Sequence, residues 1–417
     1  MSLLDRALIL LLGAVFLALG SPAVAAPPSG KRPIVILISL DGVSARLVKQ
    51  AKTPALDAMA AAGARVERVL PPFPSNTFPS HATIATGVYP DKHGIINNKF
   101  FDRKRGNFDR ERPASWLRVE PLWVTAEKQG VRAGIIMWVT SEGDWRGTLP
   151  SHHMKFRNHT ADDQKVERIL AWLSLPEEER PGLIMAWFRG TDTEGHRFGP
   201  ASEEAVLQLE RQDELLGRLG EGIARAGLSK QVTLVVVSDH GVVPLDQLVN
   251  LDRRLRSVGL GARVSTTGGV SNIYLEAPWE RERARKALSE IPEISVYERE
   301  DLPREWRASA EGRLGDLIAV AQPGAAFSED PRFVVGRAGD ERRGGHGYPP
   351  GVPGTDGILF AAGPGIMKGA RLAAAQGVDV NPTICAILGV RPAPRLDGHP
   401  LGALLEPGWA VVPGDAS

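Results

Sequence analysis

Hydrophobic residues in this chain gather in short, near-unbroken runs. "PIVILISL", "VRAGIIMW", "GLIMAWF", "VTLVVVS" and "GILFAAG" are each of strand length. Continuous apolar character without alternation predicts strands covered on both faces. Between these runs the pattern turns amphipathic and predicts helices over Pro54–Ala62, Leu122–Lys128, Ala161–Ser174, Glu203–Ala226 and Pro382–Leu388. Strands interleaved with helices predict an α/β fold, a layered α/β/α arrangement around a mostly parallel central sheet. In such sheets functional residues collect just past the carboxyl ends of strands.

One region breaks the rhythm. Between Val249 and Asp340 the pattern reads strand "SNIYLEA", helix "ERERARKALSEI", then strands "EISVYER" and "DLIAVAQ". This order predicts a small α+β insertion over 249–340, leaving 26–248 and 341–417 as the α/β core. The Pro-rich stretches "APPSGKRP" and "EPGWAVVPGDAS" read as loose termini.

The first 25 residues stand apart. Arg6 precedes an apolar run from Ala7 to Leu19, and Ala23-Val24-Ala25 fits a small-residue cleavage site. The run is short for a membrane span, and no second stretch of spanning length follows. A cleaved export signal over 1–25 is therefore expected, with the mature chain in a periplasmic or extracellular compartment and no stable membrane anchor. The single cysteine, Cys385, excludes an intramolecular disulfide, and its apolar setting "NPTICAILGV" reads as a packed thiol. Of 417 residues, 43% are hydrophobic and 24% charged, which is globular composition. The net charge of +1 offers no basic field for a nucleic-acid polymer, so an anionic substrate must be held locally.

Candidate chemistry sits where the fold class would place it. Asp41 follows the first strand, and Asp239 and His240 follow "VTLVVVS". Asp192 and His196 follow "GLIMAWF" within "RGTDTEGHRFGP", and His346 lies in the turn "RGGHGYP". Asp-x-x-x-His suits one helical face, but Gly195, Gly199 and Pro200 favour a loop. Singly, each of these residues also reads as a cap or turn former. Together, carboxylates and neutral imidazoles form the donor set of zinc or a similar divalent ion. In "PPFPSNTFPSHATIATG" the helix reads from Ser80 onward, and Thr77 has two readings: an N-cap, or a nucleophile at the positive end of a helix. His81 and His93 read as structural. His152, His153 and His159 read as exposed, with His153 within possible reach of substrate.

These motifs resemble a known set. "NTFPSHATIATGVYPDKHGIINN", "TDTEGHRFGP", "SDHG" and "GGHGY", with Asp41 after the first strand, are similar in order and type to the nucleotide pyrophosphatase/phosphodiesterase family of the alkaline phosphatase superfamily. The resemblance runs from about Pro33 to Leu388. It implies two zinc ions, one held by Asp192, His196 and His346, the other by Asp41, Asp239 and His240 with the Thr77 oxygen. It implies a phosphothreonine intermediate on Thr77, Asn98 as a donor to a phosphate oxygen, and Phe78 as a stacking partner for a base or other group. It implies a small phosphodiester or nucleotide-like substrate. Departures are visible too. Asn76 stands where the family often has Lys, and an aromatic usual after the "WVTSE" segment is replaced near His152–His153. No Lys-x-Arg pair of the kind that grips a phosphate monoester occurs in "WVTSEGDWRGTLP", which favours diesters. A phosphomonoesterase, a phosphonate hydrolase and a non-catalytic relative are the alternatives.

Overall fold

The computed structural model describes residues 32–339 and 342–409; the expected export signal lies outside them. Twelve strands carry the architecture. They are β1 (Ile34–Leu40), β2 (Ala64–Leu70), β3 (Ala133–Ile136), β4 (His152–Met154), β5 (Leu183–Phe188), β6 (Val232–Val237), β7 (Ala262–Thr267), β8 (Val270–Leu275), β9 (Ile294–Glu298), β10 (Leu317–Ala321), β11 (Gly357–Ala362) and β12 (Ala370–Leu372). The main helices are α1 (Pro54–Ala62), α2 (Thr77–Thr86), α3 (Leu122–Lys128), α4 (Asp162–Leu173), α5 (Gly190–Phe198), α6 (Glu203–Arg225), α7 (Arg281–Ser289) and α8 (Val380–Leu388).

The central sheet runs β12-β2-β11-β6-β1-β5-β3-β4, with Ala375–Gln376 also paired to β2. Every pairing is parallel except those of β11, which runs against both β2 and β6. The expected mostly parallel α/β sheet is what forms. β1, β5 and β6 are buried along their whole length, which is why their sequences show no alternation. Two apolar layers flank the sheet. One joins α2, α3 and α8 to Val35, Leu37, Met185 and Val235. The other joins α1, α4 and α6 to Ile36, Ile38, Ile184 and Val236. Cys385 is fully buried on α8 in the first layer.

A second sheet, β7-β8-β10-β9, is antiparallel throughout. Its apolar face packs with α7 around Ile273, Leu288 and Leu317. The strand "ARVSTT" of β7 is legible only once paired, since its burial is partial along most of its length. The turn after it, at Thr267–Gly268, reaches back to the central sheet, where Asn76 Nδ2 contacts the Thr267 carbonyl at 3.4 Å. Among the described residues no helix is long and apolar enough to cross a membrane.

Candidate active site and metal centre

Strand register brings the candidate residues level. Leu40 of β1 pairs with Phe188 of β5, and Ser39 pairs with Val237 of β6. Asp41, the start of α5, and Ser238-Asp239-His240 therefore leave the sheet side by side. β11 runs the other way, so the loop preceding it returns His346 to the same edge. β2 is aligned with the parallel set, and its exit leads to α2.

Two sequence expectations change here. Residues 190–198 form a helix rather than a loop. Gly195 is buried with Val242 3.3 Å from where a Cβ would stand, and Gly199, at φ +105°, ends the helix. One interior glycine costs about 1 kcal/mol relative to alanine, which packing of this kind outweighs. Asp192 and His196 consequently share a helix face. Thr77, for its part, is not the N-cap. Helix α2 begins at Thr77 instead of Ser80, and Asn76 occupies the cap position without a side-chain capping bond. Pro79 fits the first turn because the N–H it lacks has no partner within the helix there. The Asn76 amide instead donates to Asn97 Oδ1 at 2.7 Å, and the Thr77 hydroxyl is left to face the sheet edge.

The histidines are aimed. His196 Nδ1 donates to the Gly344 carbonyl at 2.8 Å, His346 Nδ1 to Ser75 at 3.1 Å, and His240 Nδ1 to Gly241 at 3.1 Å. A carbonyl can only accept, so each neutral ring carries its lone pair on Nε2. The Nε2 atoms of His196 and His346 stand 3.0 Å apart, two lone pairs face to face. Asp192 Oδ1 lies 3.4 Å from the first and 3.7 Å from the second. His240 Nε2 is 3.1 Å from Asp239 Oδ2, 3.6 Å from Asp41 Oδ1 and 3.3 Å from Thr77 Oγ1. Donor atoms of Asp41, Asp239 and His240 lie within 4.8 Å of one another, as do those of Asp192, His240 and His346.

This arrangement fits cations. Asp41 Oδ1, Asp192 Oδ1 and Asp239 Oδ2 are buried without a hydrogen-bond partner, an expensive state for carboxylates. Burial, compounded by Asp239 and Asp192, pushes the Asp41 carboxyl well above its ordinary range. Burial and Asp192 do the same to Asp239. Burial first, then neighbouring imidazoles, holds His240 and His346 well below theirs. Neutral imidazole nitrogens beside crowded carboxylates are what a borderline divalent ion takes up.

A stability prediction follows from the signs. A carboxyl with a raised native pKa stabilises the fold while protonated, and that contribution is lost as pH rises through the native pKa. The histidines act oppositely: theirs is present above about pH 6.5 and is lost as pH falls through their depressed native values. In chelator, Asp41→Asn should therefore melt higher than wild type by about 2 °C or more at about pH 8, and the gain should vanish near about pH 4. Added zinc should reverse the order, since the variant loses a donor. Scanning calorimetry across pH, with and without metal, checks this.

Other side chains complete the site. Phe78 N–H donates to Asn98 Oδ1 at 2.8 Å, which leaves Nδ2 as the Asn98 donor. Thr77, Phe78 and Asn98 line one cavity of about 330 Å³ with Asp41, Asp192 and His346. Phe78 is only 2% exposed and packs edge-on against Phe108 at 5.7 Å. Sequence reasoning missed several contributors. Trp187 Nε1 donates to Asp41 Oδ2 at 2.7 Å, but in "GLIMAWF" it reads as core. His81 is fully buried, with Nδ1 2.8 Å from the Thr77 carbonyl and 3.2 Å from Asp239 Oδ2. Its four-residue spacing from Thr77 was the available signal. Phe156 lines the cavity, whereas His153 does not, so an aromatic is present a few residues beyond the point where the sequence reading placed its loss. Thr267, Gly268 and four arginines also line the cavity. His93 bonds Thr83 Oγ1 at 3.0 Å and is structural.

A family model described as type I phosphodiesterase / nucleotide pyrophosphatase matches residues 35–349. A Schizosaccharomyces pombe protein named as a pyrophosphatase/phosphodiesterase is 32% identical over 394 residues, covering 89% of this chain and 79% of that relative. Ectonucleotide pyrophosphatase/phosphodiesterase family member 1 of Rattus norvegicus is 28% identical, and the match covers 89% of this chain but 42% of that protein. A venom phosphodiesterase of Naja atra is 28% identical over 88% of this chain and 45% of its own length. Among solved structures, murine ectonucleotide pyrophosphatase/phosphodiesterase 5, an inactive variant in complex with AMP, superposes with a TM-score of 0.82 at 24% identity. That match covers 90% of this chain and 100% of the murine chain.

Proposed function

The chain belongs to the type I phosphodiesterase / nucleotide pyrophosphatase family, whose named members hydrolyse phosphoric ester bonds, and on that premise we propose that it is an exported, two-zinc hydrolase of phosphodiester or pyrophosphate bonds acting through Thr77. The observation that carries this reading is the 3.3 Å approach of the Thr77 hydroxyl to His240 Nε2, at the junction of two carboxylate–imidazole groups. Asp192, His196 and His346 would hold one cation, and Asp41, Asp239 and His240 the other. When bound, the cations supply positive charge that lowers the pKa of the Thr77 hydroxyl and offsets charge on the entering and departing oxygens.

The protein's own groups do the rest. Thr77 Oγ1 attacks phosphorus in line, and the Oγ1–P bond forms as the ester oxygen leaves. Asn98 Nδ2 and the positive end of α2 take the equatorial phosphate oxygens. Trp187 and the backbone carbonyls hold Asp41 and the three imidazoles in place throughout. Water then attacks the phosphothreonine, restoring Thr77 and releasing the phosphorylated arm. The AMP bound to the murine relative supports a small phosphodiester or nucleotide-like substrate, and the names of the ecto and venom relatives support an exported location.

A second reading has its own observation. The Lys-x-Arg pair is absent from residues 138–150, yet four arginines reach the cavity from elsewhere, which is charge that a phosphomonoesterase could use. Zinc-loaded protein assayed on bis-(p-nitrophenyl) phosphate and on p-nitrophenyl phosphate separates the two. The diester is expected to be favoured by about ten-fold or more in kcat/KM, a difference of about 1.4 kcal/mol in transition-state stabilisation. A monoester preference would transfer the site to the phosphatase reading.

A further inference from the structure

Beyond the Asp41 and Asp192 carboxylates, the charged side chains lining the cavity are arginines and histidines. Arg110, Arg112, Arg189 and Arg342 all line it. The Arg112 guanidinium carbon lies 3.4 Å from the centroid of the Phe156 ring and 5.9 Å from that of Phe78. The Arg189 guanidinium approaches the same Phe156 ring to 5.3 Å and Trp187 to 5.9 Å. Phe156 and Trp187 are themselves stacked, 5.9 Å apart. Arg112 Nη1 is buried without a hydrogen-bond partner. Among carboxylates Glu142 acts most strongly on Arg112, and its Oε1 already accepts from the Phe156 N–H at 3.1 Å. Burial pushes the Arg112 guanidinium down to about 10, with Arg189 and Arg110 adding to the shift and the Glu142 carboxylate opposing it.

Two consequences follow. A flat group seeking the space between Phe78 and Phe156 meets a guanidinium already stacked on Phe156. Like charges gathered with an unsatisfied donor are costly in a partly dry cavity, and an anion relieves both costs through charge-assisted hydrogen bonds.

We propose that this cavity takes phosphate esters whose unreacted arm carries an anionic group, a carboxylate or a phosphate, seated on Arg112 and Arg189 beside Phe156, in place of a neutral base between the two aromatic rings. This rests on the hydrolytic reading above and specifies the arm.

The test uses four phosphodiesters that share 4-nitrophenol as leaving group. Their other arms are 2-carboxyethyl, 2-phosphonoethyl, the neutral isostere 2-carbamoylethyl, and thymidine joined through its 5′ oxygen. Zinc-loaded wild type should turn over the better anionic arm about ten-fold or more faster in kcat/KM than the carbamoyl arm, the effect expected of one charge-assisted contact. The thymidine arm should show no such advantage, and the ranking of the two anionic arms tells carboxylate from phosphate. In Arg112→Gln the ratio of anionic to carbamoyl arm should collapse toward one, while Arg112→Lys keeps part of it; thermal melts check that both variants fold. Equal rates on the carboxylate and carbamoyl arms of wild type would overturn the proposal. So would a thymidine preference that Arg112→Gln strengthens, or a p-nitrophenyl phosphate rate above all four diesters that Arg112→Gln abolishes. Absence of turnover on every ester would refute the hydrolytic reading itself, a result distinct from turnover that ignores the charge of the arm.

Discussion

Thr77→Ala should lower kcat by on the order of 10⁴-fold or more while leaving the fold and metal uptake intact, since loss of a nucleophile is among the largest single effects in an active site. The structural argument is specific to this position. Thr77 is the first residue of α2 and is 7% exposed. Its hydroxyl meets the His240 Nε2 atom and serves no cap, because Asn76 occupies that position. Alanine is at least as good a helix former, so the substitution removes an oxygen and little else. Both metal groups consist of carboxylates and imidazoles without the hydroxyl, and they should still take up cations. The measurement is kcat on a p-nitrophenyl diester together with bound zinc by atomic absorption. Wild-type rates in the variant would exclude attack by Thr77. Loss of zinc along with activity would mean that the residue acts chiefly by supporting the metal site.

Removing the cations should silence the enzyme to below about 1% of its rate, with recovery on adding zinc, because a threonine hydroxyl at neutral pH is a weak nucleophile without a cation to lower its pKa. Removal should also lower stability. Chelation returns three buried carboxylate oxygens to a state without partners, and it sets the His196 and His346 lone pairs against each other at 3.0 Å. Cations that bind only the folded chain stabilise it by mass action, so melting temperature and activity should rise together in a zinc titration. Recovery should weaken in acid, where protons compete for the imidazoles and carboxylates. Full activity in protein shown to be metal-free would sink the dimetal reading.

Much of the architecture was legible because β1, β5 and β6 are covered on both faces, and a doubly buried strand is apolar at nearly every position, with Ser39 and Thr233 the exceptions here. The same logic located Asp41 and Asp239-His240: a polar residue straight after such a run lies at a strand end. β7 was not legible, since "ARVSTT" is only partly buried and gains its identity from pairing with β8. Helix α5 was misread because glycine propensity is a weak local preference, overridden where Gly195 packs on Val242.

By itself the sequence determined which residue types were available for chemistry and the order in which they left the sheet, because hydrophobic burial is written into periodicity. What only the tertiary structure decided is which of them meet. The opposed direction of β11 returns His346 to the edge where Asp192 and His240 stand, and Trp187 turns from an anonymous core residue into the hydrogen-bond donor that holds Asp41. The guanidiniums on Phe156 come from segments more than seventy residues apart. Contacts of that kind depend on long-range packing and strand register, and no local pattern in a single chain encodes them.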